Sequence, residues 1–183
     1  MSKTYQFKNI NMLMHGEMVF NEYKKLIEAI KEENFDYFEE IGFSFEEDFI
    51  KKLYSLQYEM DTMKSYQIYH DCGKHISKYI DENGKVHYPD HAKHSANIYH
   101  QYFDNIIAED LILKDLNFHT FKCEELVEWM KEEKKETLAS LYLTAWAEIL
   151  ANSTMFGGRE SDSFKIKRKK LIQAGKKLKE ILK

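Results

Sequence analysis

What most limits the fold of this chain is the near absence of residues that break a helix. Proline occurs once, as Pro89, and glycine only seven times in 183 residues. Proline removes a backbone donor and clashes with the preceding turn, and glycine raises the entropic cost of order. A chain short of both runs readily in long helices. Apolar residues recur at helical spacing, with Met14, Met18, Tyr23, Leu26 and Ile30 along a first helix. Ser44-Phe45-Glu46-Glu47 reads as a capping box opening a helix that carries Phe49, Leu53 and Leu56 on one face. A third helix is expected to end near Asp71, broken by Gly73. Further helices are expected over about 91–103, with Asp90 as its cap, 106–117, 123–132 and 136–153; a basic helix follows the Gly157-Gly158 loop. The exception is Asn83-Gly84, set between Tyr79-Ile80 and Val86-Tyr88, a hairpin turn signal. The expected fold is all-α, a single-domain helical bundle with one small β-hairpin near residues 76–88. Residues 1–160 would form the helical domain, and 161–183 a basic C-terminal helix packed on it.

Composition removes several classes. Hydrophobic residues make up 43% of the chain, enough for a core, yet no run approaches the roughly 18 apolar residues of a membrane span. The start, Met1-Ser2-Lys3-Thr4-Tyr5-Gln6, lacks the apolar stretch of a secretory signal. Cys72 and Cys123 stand far apart in no ligand-like spacing, so a reducing cytoplasm is the expected location. Net charge is −4, but the sign is uneven. From Lys165 to Lys183 there are nine Lys/Arg and one acid, Glu180, whereas 32–47 holds Glu32, Glu33, Asp36, Glu39, Glu40, Glu46 and Glu47. The basic stripe suggests phosphate-bearing partners; its plain alternative is the solvated face of a helix that buries Leu171, Leu178 and Leu182. Tyr99, Tyr102 and Phe103 suit either a homodimer face or core packing.

The chemistry centres on Ile68-Tyr69-His70-Asp71-Cys72-Gly73-Lys74. A neutral imidazole and an adjacent carboxylate can serve one divalent cation, and such N/O donors suit Mn, Fe, Zn, Co or Mg rather than a soft metal. Lys74 adds a positive charge where a phosphate could sit. Asp115 and His119, four apart, would share one helical face. Glu148, among Leu143, Ala147 and Leu150, is an odd carboxylate on an apolar face, costly unless paired or metal-bound. His75, His87 and His100 read as structural.

The order of His15 in Met14-His15-Gly16-Glu17, then His70-Asp71, then a late acid in Ala147-Glu148-Ile149, resembles the HD-domain superfamily of metal-dependent phosphohydrolases. Lys74 fits that family's His-Asp-x-Gly-Lys variant. Glu148 departs from the family's aspartate by one methylene. His91 in His91-Ala92-Lys93-His94 is similar to the histidine-led helix of binuclear members. Together with Met155-Phe156-Gly157-Gly158, the pattern also looks like small stand-alone HD proteins carried by large tailed phages. The resemblance implies one or two divalent metals on His15, His70, Asp71, His91, Asp115, His119 and Glu148. It further implies hydrolysis of a phosphoester or phosphoanhydride, in a nucleotide or an oligonucleotide end, by activated water. Asp71, Lys74, His94 and His119 would be catalytic, and Lys74, Lys93, Arg159, Lys165 and Lys167 would hold substrate. Two alternatives stand beside it. One is a degenerate module that binds nucleic acid or another phosphorylated ligand through the basic C-terminal helix. The other is a metal-dependent oxygenase on the same scaffold.

Overall fold

The computed structural model describes residues 5–7, 10–155 and 157–183. Met1 to Thr4 of the opening stretch and Phe156 of the Met155–Gly158 motif lie outside the described residues. The fold is all-α, with two short hairpins. It divides into two compact units, each built from separated stretches of chain: 1–18 with 60–115, and 19–59 with 116–183.

The first unit begins with β1 (Tyr5–Phe7) paired antiparallel to β2 (Ile10–Asn11), then the start of α1 (Met12–Lys31). It continues with α4 (Met60–Tyr69), a tight turn, the short α5 (Lys74–Ser77), and the expected hairpin β3 (Tyr79–Ile80) to β4 (Val86–His87). Gly84 supplies the left-handed φ of 76° that this turn needs. α6 (His91–His100) and α7 (Ile106–Lys114) close the unit and pack on each other, and α4 packs on α7. Met63, Tyr66, Tyr99, Leu111 and Ile112 fill its core. Tyr99 is buried, stacked on Phe103 at 4.7 Å, so it belongs to the core, while Tyr102 is exposed.

The second unit takes the rest of α1, then α2 (Asp36–Ile41) and α3 (Glu47–Leu56). After them come α8 (Asn117–Thr120), α9 (Cys123–Glu132), α10 (Lys135–Ser153) and α11 (Asp162–Ile181). α10 is its axis: from Thr137 to Ser153 every residue is buried except Glu148. Phe43 lies 4.6 Å from Trp146, and Tyr142 donates a hydrogen bond to the Leu171 carbonyl at 2.9 Å, which ties α10 to α11. The basic helix is thus part of this unit, with Phe164, Leu171, Leu178 and Leu182 buried.

Three local expectations are corrected. The Ser44 capping box does not form: α3 opens at Glu47 with Glu46 in the cap position and no side-chain cap. Phe43 and Phe45, held by Trp146, Tyr142 and Phe49, set the path of the chain there instead. Asp90 precedes α6 but is left-handed (φ 51°) and makes no side-chain cap. The helix expected over 106–117 stops at Lys114, and α8 starts afresh at Asn117. The His119 amide donates to Leu116 three residues back, so Asp115 and His119 do not share one continuous helical face.

Candidate metal centre

The centre of the first unit is the Asp71 carboxylate, which is buried. It sits in the turn after α4, where Cys72 and Lys74 amides bond back to Tyr69 and Asp71 carbonyls. Two glycines allow other elements to reach it. A Cβ on Gly16 would stand 2.5 Å from the Ile68 carbonyl oxygen and 2.6 Å from that of Gln67, so glycine here lets α1 approach the end of α4 closely. His15, its neighbour, is fully buried, with its ring 5.5 Å from that of His70. A Cβ on Gly73 would stand 2.5 Å from the His91 carbonyl and against the Ser95 amide, so the turn lies directly on the first turn of α6. The Gly73 amide donates to Ser95 Oγ at 2.8 Å and locks that approach.

Three imidazoles then converge on one carboxylate. Nε2 of His15 and of His70 lie 3.8 and 3.5 Å from Asp71 Oδ2, and Nε2 of His91 lies 3.6 Å from Oδ1. The Lys74 ammonium donates to Oδ2 at 2.6 Å and also lies 5.6 Å from the centre of the Tyr88 ring. Two of the rings are oriented by main chain. His70 Nδ1 lies 2.7 Å from the Gln67 carbonyl and His91 Nδ1 lies 2.9 Å from that of Tyr88. A carbonyl only accepts, so each Nδ1 carries a proton, and Nε2, the nitrogen facing Asp71, is the one that must be free of a proton to ligate a metal. Metal-ligating histidines are characteristically held this way.

The separations lie at, or a few tenths of an ångström beyond, those of donors that share a cation. They exceed a hydrogen bond, whereas donors bound at about 2.1 Å to one ion stand about 3 to 3.5 Å apart. A ring nitrogen of His15 and one of His70 lie within 4.8 Å of each other. A group that includes His15 and His70 could therefore hold a metal ion. Burial pushes the Asp71 pKa up, but the charges of His70, Lys74 and His15 and the Lys74 hydrogen bond outweigh it and hold the carboxyl at about 2. The group is kept as an anion, which a cation site needs.

The other expected residues come from several further elements. Asp115 is buried in the first unit, where Tyr66 Oη donates to its Oδ1. His94 is partly exposed on α6, beside the Gly73 turn, and Lys93 is exposed. Glu148 and His119 belong to the second unit and pair there, with Nε2 2.8 Å from the carboxylate; Asn152 donates to Glu148 at 3.3 Å. Lys167 lines a cavity with that pair. Arg159 is engaged by Glu40 at 3.3 Å and Lys165 by Glu160 at 3.0 Å. His75, His87 and His100 make local bonds to the Cys72 carbonyl, Asp81 and Glu109. Sequence reasoning missed Gly16, Ser95, Tyr66 and the carbonyls of Gln67 and Tyr88. Ser95 stands four residues after His91, and that spacing was the one signal for it. Among the described residues, no helix is long and apolar enough to cross a membrane. No family model matches the chain, nor does any curated protein or solved structure.

Proposed function

We propose that this protein is an HD-type metal-dependent phosphohydrolase that cleaves a phosphoester or phosphoanhydride of a nucleotide or of an oligonucleotide end. The observation that carries the reading is the convergence of His15, His70 and His91 Nε2, with the Lys74 ammonium, on the Asp71 carboxylate. Histidine nitrogens and a carboxylate form the donor set of hydrolytic divalent-metal sites. His15, His70, Asp71 and His91 would hold the metal. A divalent ion bound there supplies Lewis acidity, lowering the pKa of water and polarising a phosphoryl oxygen.

The chain's own groups do the rest. Lys74, only partly exposed and anchored on Asp71, offers positive charge to the substrate phosphate. The Gln67 and Tyr88 carbonyls keep the His70 and His91 rings from turning. His94, three residues beyond His91 and partly exposed, would protonate the leaving oxygen.

The test is metal content and phosphate release, measured on protein purified without a nickel column. Wild type is expected to retain a divalent ion and to release phosphate or a nucleoside monophosphate from a nucleotide panel. Asp71→Asn is expected to keep its fold, lose the ion and lose turnover by at least about a thousandfold, given what one electrostatic group contributes to catalysis. A wild type that binds no metal after dialysis against manganese, iron, zinc, cobalt and magnesium in turn would overturn the reading.

A further inference from the structure

The second unit contains a cleft. Two adjoining cavities, of about 580 and 310 Å³, share Phe118, His119 and Lys170 as walls. These are sizes at which small ligands are held. The cations around them come from two places. Lys167, Lys170 and Lys177 lie along one stripe of α11, at spacings of three and seven residues. Lys122 stands at the start of α9. Elsewhere on α11 Lys165 is paired with Glu160 and Lys179 with Glu46. The four lysines of the cleft have no carboxylate within ion-pair distance among the described residues. Among the described residues one acid lines the cavities, Glu148, and His119 engages it.

Four ammonium groups around one cleft repel each other until an anion joins them. Lys170 and Lys177 are about 10 Å apart along the helix axis, too far for one phosphate group to bridge. The ligand charge must therefore be extended. The floor is apolar, built from Leu116, Phe118, Leu126 and Leu171. Phe118 is buried and held by Trp129 and Tyr142, while Phe121 is only half-buried and meets Trp129 edge-on at 5.8 Å. A strand of nucleic acid needs an aromatic platform for each successive base. This cleft offers one.

We propose that the second unit binds a nucleoside polyphosphate here, its base against Phe121 and its phosphates along Lys170 and Lys177, with Lys122 and Lys167 at the flanks. The choice of a phosphate-bearing ligand rests on the phosphohydrolase reading. Binding is tested without turnover, so the two fail separately.

The experiment is calorimetric titration of the full chain in EDTA with the β,γ-methylene analogue of adenosine triphosphate, inorganic tripolyphosphate and a single-stranded octanucleotide. Lys170→Ala with Lys177→Ala is expected to weaken the analogue about a hundredfold, about tenfold for each charge-assisted contact. Phe121→Leu, which keeps apolar volume, is expected to weaken the analogue and leave tripolyphosphate unchanged. Asp71→Asn is expected to change neither. Circular dichroism checks that each variant is folded. The proposal is overturned if the lysine pair leaves affinity unchanged, if Asp71→Asn weakens the analogue as much as the lysine pair does, or if the octanucleotide binds more tightly than the analogue. Loss of metal or turnover in the hydrolysis test leaves this result standing.

Discussion

His70 and Cys72 flank the same aspartate yet are prepared for opposite fates. The His70 ring is turned by the Gln67 carbonyl so that Nε2 faces Asp71. Cys72 is buried, its Sγ directed at the Ser95 carbonyl at 3.6 Å. Burial pushes its pKa up, and the Asp71 charge adds to that, leaving the thiol at about 11 despite the Ser95 contact. The thiolate is the nucleophile, so reactivity rises with pH as the solution approaches that value. At pH 8 only about one thiol in a thousand is ionised, from the separation between pH and pKa. Exposed Cys123 lacks that protection. Iodoacetamide at pH 8 is therefore expected to add one label per native chain, at Cys123, and a second only after unfolding; peptide mass mapping decides. Rapid labelling of Cys72 in the native protein would contradict the burial. The residues of the centre were legible as types and order, because His15, His70, Asp71 and His91 sit in short motifs. The partners that orient them were not, since two are main-chain carbonyls that any residue could supply.

At the scale of elements, helices were legible wherever apolar spacing was strong. α9 and α10 fall within a residue of their expected bounds. Ends set by tertiary contact were not: the aromatic cluster of Phe43 and Phe45 overrides the Ser44 cap, and the stop after Lys114 separates Asp115 from His119. One close approach, α1 on α4, depends on the missing side chain of Gly16. An added methyl there would meet backbone oxygens at 2.5 and 2.6 Å, and these cannot rotate away. Gly16→Ala is expected to cost about 1–3 kcal/mol in urea unfolding, the usual penalty of overpacking. It is also expected to weaken divalent-metal binding by moving His15 relative to His70. A variant as stable as wild type would show that α1 can retreat without loss.

At the scale of the whole molecule, α11 packs among α8, α9 and α10. Four of its side chains, Phe164, Leu171, Leu178 and Leu182, are buried. At about 1.5–3 kcal/mol each, their burial is worth about 6–12 kcal/mol, comparable to the net stability of a typical domain at about 5–15 kcal/mol. A chain ending at Glu160 is thus expected to lose far more helical signal by circular dichroism than α11 itself contributes. Loss of that share alone would mean that the rest of the second unit stands without it. Periodicity found α11 but could not show its dependents, because their shared surface is formed by segments remote in sequence.

The main-chain anchoring of His70 and His91 has an evolutionary consequence. The Gln67 and Tyr88 oxygens are present whatever side chains occupy those positions. Drift at 67 or 88 leaves the ring orientations intact as long as the chain keeps its path. Conservation of these two ring orientations then depends on the path of the chain at 67 and 88 more than on which residues supply the carbonyls.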